Sequence, residues 1–466
     1  MRPQHQVPHE EASVGQELRQ LAKLAAPFAL AQAGQSMMGL VDTAVVGRLN
    51  AASLAAVSVG NSIFFTVSIL GIGLLFGLDP LISQAVGAEV KGRARLLLWQ
   101  GVWLALAGSV VLAIPIALSP WTLHLFSITG DVASDARAYV MWRIPGLVSL
   151  LLFFAQRSYL QSLGHAAVLV WTTALANVFN LLADLLFVFG GASLPSWTLL
   201  QGVPAMGAAG AAIATTLCAT FQILLLGLAI HRIPSGLEII RRAPLLADLR
   251  KAAKIGIPVG LHLAAEVGVF ALAGLFAGKL GKVSLAAHQI ALMLGSVSFT
   301  VAVGIGSAGS VRVGWAMGAG RQKAARRSGL IAFGAGVGFM SCSALVFLLI
   351  PHLLARGFTN EADVIATAVP LIGICAVFQI SDGIQGVGAG VLRGLGDSHV
   401  TFIANVVGHY AIGLPLALYL AFGRHLGVRG LWWGLSAGLT SVALALFVRF
   451  WRLSARPIAS LASHSA

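Results

Sequence analysis

Acidic side chains stand inside long apolar stretches of this chain, where acids are rare. The five are Asp42, Asp79, Asp184, Glu266 and Asp382. A charged side chain at bilayer depth costs about 3 kcal/mol or more, so an acid retained there usually marks an ion or proton pathway. These acids therefore point to ion chemistry inside a membrane.

Two of these acids end polar stripes on apolar helices. Both stripes repeat at intervals of three and four residues: Gln32, Gln35, Gly39 and Asp42 on the first helix, and Thr173, Asn177, Asn180 and Asp184 on the fifth. This spacing puts each set on one helix face, and a polar face has to turn away from lipid. Because both stripes lie in the first half of the chain and end in a carboxylate, they predict one cation site there.

The composition requires that the elements holding these residues cross a membrane. Of the 466 residues, 58% are hydrophobic and only 10% are charged, and the mean hydropathy is +0.88. A soluble domain carries about 25% charged residues, so the composition excludes one. Each crossing needs about 20 apolar residues. The apolar windows predict twelve helices near 19–47, 52–84, 93–118, 132–158, 165–190, 207–231, 251–279, 284–317, 324–350, 362–392, 398–422 and 428–453.

The twelve predicted helices fall into two groups of six. We expect an all-α polytopic membrane protein built from five segments. They are a cytoplasmic N-terminal tail at 1–16, an N-lobe at 17–231, a cytoplasmic interlobe loop at 232–250, a C-lobe at 251–453 and a cytoplasmic C-terminal tail at 454–466.

An internal repeat supports the division into two lobes. Shifting the sequence by 231 residues brings Pro27 onto Pro258 and Gly47 onto Gly278 in one register. Each lobe has an even number of helices, so both lobes enter the bilayer from the same side and the repeat is parallel. Paired lobes around a central cavity are typical of transporters that work by alternating access.

The 54 glycines include pairs spaced four residues apart, a pattern that lets membrane helices approach closely. The pairs are Gly73/Gly77, Gly386/Gly390 and Gly434/Gly438. Cys218, Cys342 and Cys375 are too far apart in sequence to form a metal motif and are interpreted as packing residues.

Lysine and arginine are concentrated in the loops on one side of the predicted helices. Clusters lie at 91–95, at 241–251 and at 321–327. The excess of basic residues in cytoplasmic loops then places both termini on the cytoplasmic side of the inner membrane. The net charge of +14 reflects these loops, and we expect no nucleic-acid partner.

Six short motifs, in order along nearly the whole chain, resemble those of the multidrug and toxic compound extrusion (MATE) family. They are Gly39–Leu49, Leu54–Ala56, Ser83–Ala88, Ala286–Ala291, Ser310–Gly314 and Leu392–Asp397. The resemblance implies a secondary active antiporter that exports drugs or other organic cations and is driven by inward H⁺ or Na⁺ flow. The expected partners are small amphipathic, cationic organic molecules and the lipid bilayer. We expect a monomer with no nucleotide and no cofactor beyond the coupling ion.

The resemblance also implies which residues form a cation site in the N-lobe. The candidates are Asp42, Asn177, Asn180, Asp184 and Thr216. Thr215 is an alternative to Thr216, because the register of the sixth helix is ambiguous. Pro27 lacks an N–H and leaves a carbonyl free, so a bend in the first helix is expected there. The competing interpretation is that these polar groups only hydrogen-bond the first and fifth helices together.

A second cation site is implied in the C-lobe, at Glu266 and Asp382. Carrying acids at both positions is typical of the NorM-like branch of the family. Na⁺ would bind at Asp42, Asn180 and Asp184 or at these two acids, and the sequence does not rank the two sites. Further candidates for polar residues of the cavity are Gln35, Gln289 and Gln379. His262, one turn before Glu266, indicates a hydrogen bond within the helix more than a metal site.

Other classes of membrane protein compete with this interpretation. A lipid-linked saccharide flippase of the same superfamily shares the two-lobe design, but such proteins tend to have cationic cavities. A membrane-embedded transferase is less favoured, because the chain lacks adjacent paired acids for metal-diphosphate chemistry. An ATP-driven pump is excluded within this chain, because it has no Gly-x-x-x-x-Gly-Lys-Ser/Thr loop. We therefore expect no enzymatic activity.

Overall fold

The computed structural model describes residues 7–8, 13–90, 92–126, 128–193, 200–234, 242–457 and 460–461. Lys91 and Arg241, which contributed to the charge argument, lie outside the described residues, as do most positions of the two predicted tails. Within the described ranges, the regular secondary structure is helical throughout.

The long spans formed by the α-helices match the sequence-based windows to within about five residues at each end, whereas the short helix Pro351–Arg356 falls outside these windows. The described chain contains fifteen α-helices in all. They are α1 (Val14–Val46), α2 (Ala51–Phe76), α3 (Leu78–Gly87), α4 (Arg93–Leu118), α5 (Gly130–Ser162), α6 (Ala166–Phe189), α7 (Gly207–His231), α8 (Leu246–Lys279), α9 (Lys282–Gly318), α10 (Gln322–Leu349), α11 (Pro351–Arg356), α12 (Ala362–Gly394), α13 (His399–Val406), α14 (Leu414–Leu418) and α15 (Gly427–Leu453). Two π-helical segments, Val407–Gly413 and Tyr419–Gly423, continue α13 and α14.

These elements make up the twelve predicted membrane helices. Eleven spans of the described chain are long and apolar enough to cross a bilayer, with α2 and α3 forming one span and residues His399–Gly423 another. The twelfth is α1, which has 33 residues. The mean hydropathy of α1 is lower than that of the other eleven spans, because α1 carries the polar stripe that ends at Asp42. The prediction of an all-α polytopic membrane protein is confirmed.

The described residues cluster into two compact units, each with its own packing. Unit 1 holds residues 30–78 and those between 92 and 260, and unit 2 holds residues 13–29, 79–90 and those from 261 onward. In unit 1, α5 packs against α2, α4 and α7, and α6 packs against α7. In unit 2, α12 is the central helix and packs against α9, α10 and α15. The exact lobe boundaries expected from the sequence stay a prediction.

Each predicted glycine pair has at least one member at a close approach of two helix backbones. A Cβ atom on Gly73 of α2 would lie 2.1 Å from the Cα atom of Gly260 in α8. A Cβ atom on Gly390 of α12 would lie 2.2 Å from the carbonyl oxygen of Gly306 in α9. Backbones this close have no room for a side chain, so the small residues set the helix spacing.

We predict that Gly390→Ala destabilises the protein, because the added methyl group would overlap the backbone of α9. Overpacking of this kind costs about 1–3 kcal/mol, so the midpoint of thermal unfolding in detergent should fall by several degrees. Gly373→Ala is the matched control in the same helix, since a Cβ atom there meets nothing within 4 Å. Equal midpoints for the two variants would contradict the assignment of Gly390 to a helix contact.

Candidate functional site

Helix α6 shows how the fold keeps acids away from lipid. Its exposed face carries Trp171, Leu175, Val178 and Leu182, with exposed fractions of 71%, 52%, 60% and 60%. Asn180 and Asp184 lie on the opposite face and are fully buried. The apolar stripe covers the side that lipid would contact, so the polar stripe predicted from the sequence faces protein.

Asp42 of α1 is held by two donors from other helices. The Nδ2 atom of Asn180 in α6 donates to Oδ1 of Asp42 at 3.0 Å. The hydroxyl of Thr215 in α7 lies 2.9 Å from Oδ2 of Asp42 and 2.8 Å from the Ala211 carbonyl oxygen, either of which can accept its proton. Asp42 itself is 7% exposed, so three helices of unit 1 meet at one buried carboxyl group.

Asp184 lies beside Asp42 and has unsatisfied acceptors. Its two carboxyl oxygens and Oδ1 of Asn180 are buried and accept no hydrogen bond from a described donor. The Asp184 and Asp42 carboxyl groups are close enough to interact electrostatically and to share a hydrogen bond if one of them carries a proton. A buried oxygen without a partner is costly, so the geometry suits either a proton or a small cation.

The other two predicted members of the N-lobe site point elsewhere. Asn177 donates through Nδ2 to the carbonyl oxygens of Gly34 and Thr173, both at 2.9 Å. Thr216 donates to the carbonyl oxygen of Trp142 at 3.1 Å. Asn177 therefore ties α6 to α1, Thr216 ties α7 to α5, and the contact with Asp42 belongs to the neighbouring threonine that the sequence left as the alternative.

Helix α5 adds two residues that the sequence analysis missed, Tyr139 and Arg143. Tyr139 is 1% exposed, and Gly60 of α2 leaves the room that its ring occupies. The charges of Asp42, Asp184 and Arg143 all act on the Tyr139 hydroxyl. Arg143, a basic residue in the middle of an apolar run, was the feature of the sequence that could have indicated a contribution from α5. We call Asp42, Tyr139, Asn180, Asp184 and Thr215 the unit 1 cluster.

Unit 2 contains the second predicted pair of acids. Glu266 of α8 accepts a hydrogen bond from Nε2 of Gln385 in α12 at 3.1 Å, and Nε2 of His262 lies 3.5 Å from the same carboxyl oxygen. Asp382 of α12 is 6% exposed, and the charge of Glu266 acts on its carboxyl group. We call His262, Glu266, Asp382 and Gln385 the unit 2 cluster.

The membrane helices of unit 2 contain further polar groups. Gln379 and His409 are fully buried, and their side-chain nitrogen and oxygen atoms have no hydrogen-bond partner in the described chain. His409 lies in the π-helical segment Val407–Gly413. Gln289, in contrast, is exposed. The described residues contain no group of three or more His, Cys, Asp or Glu side chains arranged to hold a metal ion.

Three further predicted residues, Gln35, Pro27 and Asp79, are not members of either cluster. Gln35 is partly buried and its Nε2 atom has no partner among the described groups. Pro27 lies inside α1, which continues as one helix through it. Asp79, the fifth acid at membrane depth, forms an ion pair with Arg393 of α12, with 3.3 Å between Nε and Oδ2. Asp79 is therefore neutralised by a protein partner, unlike Asp184.

Twelve membrane helices with buried acids in each of two units define a polytopic membrane protein of the secondary-transporter type. The MatE family profile matches the chain twice, over residues 27–186 and 258–419, and the chain belongs to this family. The two matches begin 231 residues apart, which is the repeat offset found in the sequence.

Relatives of similar length support this membership. The multidrug resistance protein NorM of Burkholderia vietnamiensis is 36% identical over 436 residues, which cover 92% of each chain. The multidrug resistance protein MdtK of Edwardsiella ictaluri is 32% identical, covering 95% of this chain and 96% of its own. These names describe resistance proteins and not enzymes, so the chain is a transporter and the transferase interpretation is wrong.

Solved structures show the same fold. The eukaryotic MATE transporter AtDTX14 superposes with a TM-score of 0.82 at 22% identity, covering 95% of this chain and 98% of its own. A MATE structure in the bent conformation gives a TM-score of 0.84 at 20% identity, with the same coverage. The resemblance inferred from the six motifs is confirmed.

We predict that Thr215→Val weakens cation-driven transport whereas Thr216→Val does not. A hydrogen bond to a charged group contributes about 1.5–3 kcal/mol, so the cation concentration for half-maximal transport should rise about tenfold or more in Thr215→Val. The measurement is transport by reconstituted vesicles over a cation titration. Thr216→Val is the adjacent control, and equal shifts in both variants would remove Thr215 from the site.

Proposed function

We propose that the protein is a cation-driven export antiporter for amphipathic organic cations, including drugs. Inward flow of H⁺ or Na⁺ drives the outward movement of the substrate through alternating access. The protein works as a monomer in the cytoplasmic (inner) membrane, with both termini in the cytoplasm and no cofactor other than the coupling ion. The relatives named as multidrug resistance proteins support the substrate class.

The observation that carries this proposal is the set of unsatisfied oxygens in the unit 1 cluster. Both carboxyl oxygens of Asp184 and Oδ1 of Asn180 are buried without a donor among the described residues, beside the carboxyl group of Asp42. A structural role alone would leave these atoms paired, as the hydroxyl of Thr216 is. Unpaired acceptors next to a second acid are what a transient positive charge would complete.

The same oxygens serve either coupling ion. For sodium, oxygens from the two carboxyl groups, the Asn180 amide and the Thr215 hydroxyl would replace the water of the ion. For a proton, one carboxyl group would become the donor and the other the acceptor of a hydrogen bond between them. A membrane potential of 100 mV supplies about 2.3 kcal/mol per charge, which is enough to shift a two-state equilibrium by more than tenfold.

The unit 2 cluster is the second candidate for the coupling site. Glu266 already accepts from Gln385 and lies close to His262, so its carboxyl group is better satisfied than that of Asp184. We therefore assign coupling first to the unit 1 cluster. The acids of both units favour a positively charged substrate over an anionic one, which supports drug or cation export over a saccharide flippase.

We predict that Asp42→Asn strongly reduces gradient-driven efflux, because it removes one of the two carboxylate charges of the unit 1 cluster. Wild-type protein, Asp42→Asn and Glu266→Gln are reconstituted in proteoliposomes, and efflux of a fluorescent organic cation is followed with sodium and pH gradients imposed separately. The initial rate should fall at least tenfold in Asp42→Asn and fall less in Glu266→Gln. Asp363→Asn is the control, because Asp363 is an exposed acid in the first turn of α12.

Three results would count against the proposal, the first two against coupling at the unit 1 cluster and the third against antiport. Full gradient-driven efflux in both Asp42→Asn and Glu266→Gln would remove coupling from both clusters. A large loss in Glu266→Gln with full activity in Asp42→Asn would move coupling to unit 2. Efflux by the wild-type protein that is indifferent to both gradients would refute antiport itself.

A further inference from the structure

A basic side chain lies at membrane depth in unit 1, and the proposed function does not use it. Arg143 is thirteen residues beyond the first residue of α5, about 20 Å along the helix at 1.5 Å per residue, inside a membrane span. A cation at this depth is expensive and is rarely kept without a partner. The contacts of Arg143 should therefore show what it does.

Arg143 lies against aromatic rings and not against an acid. Its Cζ atom is 4.3 Å from the centroid of the Phe64 ring in α2 and 6.0 Å from that of Tyr139. Its Nε atom is buried and has no hydrogen-bond partner in the described chain, and none of the ion pairs found there includes it. Contact with a ring face is weaker than a charge-assisted hydrogen bond to a carboxylate, so Arg143 retains unused donor capacity.

Asp184 has the complementary deficit in the same unit. Its side chain is fully buried, and both of its oxygens lack a donor among the described groups. Arg143 lies 6.0 Å from the ring of Tyr139, which packs in one core cluster with Val46 of α1 and Val188 of α6, the helices that carry Asp42 and Asp184. Its positive charge is opposite in sign to both carboxylates and acts on that of Asp184. A donor without an acceptor and an acceptor without a donor thus lie within Coulombic reach of one another.

We propose that Arg143 is an internal counter-ion of the unit 1 cluster, which moves from the Phe64 ring to Asp184 when the coupling cation leaves. Binding of the next cation sends Arg143 back to the ring. This role rests on the proposed function, because it requires that a cation enters and leaves the cluster.

The movement of Arg143 compensates the negative charge of the two buried acids when no cation is bound. A cluster that has lost its cation would hold an uncompensated carboxylate, which is strongly unfavourable in a protein interior. An arginine that takes the place of the cation keeps the emptied cluster neutralised. Because Arg143 and the cation compete for Asp184, Arg143 also weakens cation binding enough for release. Arg143 is then a positioning residue that acts through Asp184.

The competition predicts opposite effects for two substitutions. In Arg143→Gln the competitor is gone, so the cation concentration for half-maximal efflux should fall about tenfold, and the maximal rate should fall because release slows. In Phe64→Leu the aromatic ring that Arg143 contacts is lost, so Arg143 favours Asp184. The cation concentration for half-maximal efflux should then rise severalfold. Arg143→Lys keeps the charge and should restore values toward wild type.

The control is Arg137→Gln, on the same helix. Arg137 is exposed and lies over the ring of Trp121 at 5.3 Å, so it shares the cation–ring contact but is not part of the buried unit 1 cluster. It should keep both kinetic constants. Shifts in the same direction for Arg143→Gln and Phe64→Leu, or no shift in either, would overturn the counter-ion role.

A stability measurement tests the pairing without any transport. In detergent at pH 8.5 without sodium, Arg143→Gln should lower the midpoint of thermal unfolding, because Asp184 is left unpaired. Adding Asp184→Asn should recover at least half of that loss. Additive losses in the double variant would overturn the pairing. Because this readout needs no gradient, a failure of antiport in the vesicle assay remains distinguishable from a failure of the counter-ion role.

Discussion

The cost of placing a carboxyl group among acyl chains is the constraint on which this structure depends. Four acids at membrane depth, Asp42, Asp184, Glu266 and Asp382, are 13% exposed or less. Each lies on a helix that also carries exposed apolar side chains, such as Leu40, Leu182, Leu275 and Val377. The fold therefore does two things at once: it presents aliphatic and aromatic side chains outward and collects charged oxygens inward. The buried acids of the unit 1 and unit 2 clusters are held away from lipid by that separation.

Close helix packing makes the separation possible. Glycines such as Gly73 and Gly390 bring backbones into contact, and Gly60 opens the space that the Tyr139 ring fills beside the acids. Three helices can then reach one carboxyl group, as α6 and α7 do at Asp42 of α1. Larger side chains at the contacts would widen the helix spacing and separate donors from acceptors by more than a hydrogen-bond length.

The two clusters differ in how fully their acids are satisfied. Asp184 in unit 1 has no protein donor in the described chain, whereas Glu266 in unit 2 accepts from Gln385. Asp79 represents the other extreme, since its charge is neutralised by Arg393. This gradation separates acids that stabilise helix packing from an acid that is available to a mobile charge. It is the physical basis for assigning coupling first to unit 1.

The sequence by itself determined the membrane class, the twelve helices, the repeat and the faces that carry Asp42 and Asp184, because these follow from hydropathy and helical periodicity along one segment. It did not decide between Thr215 and Thr216, and it missed Tyr139 and Arg143. Those assignments depend on which rotation of α7 and α5 faces α1 and α6, and rotation is set by packing between helices. Only the tertiary structure supplies that packing, since contacts between residues 74 to 173 positions apart leave no trace in local spacing.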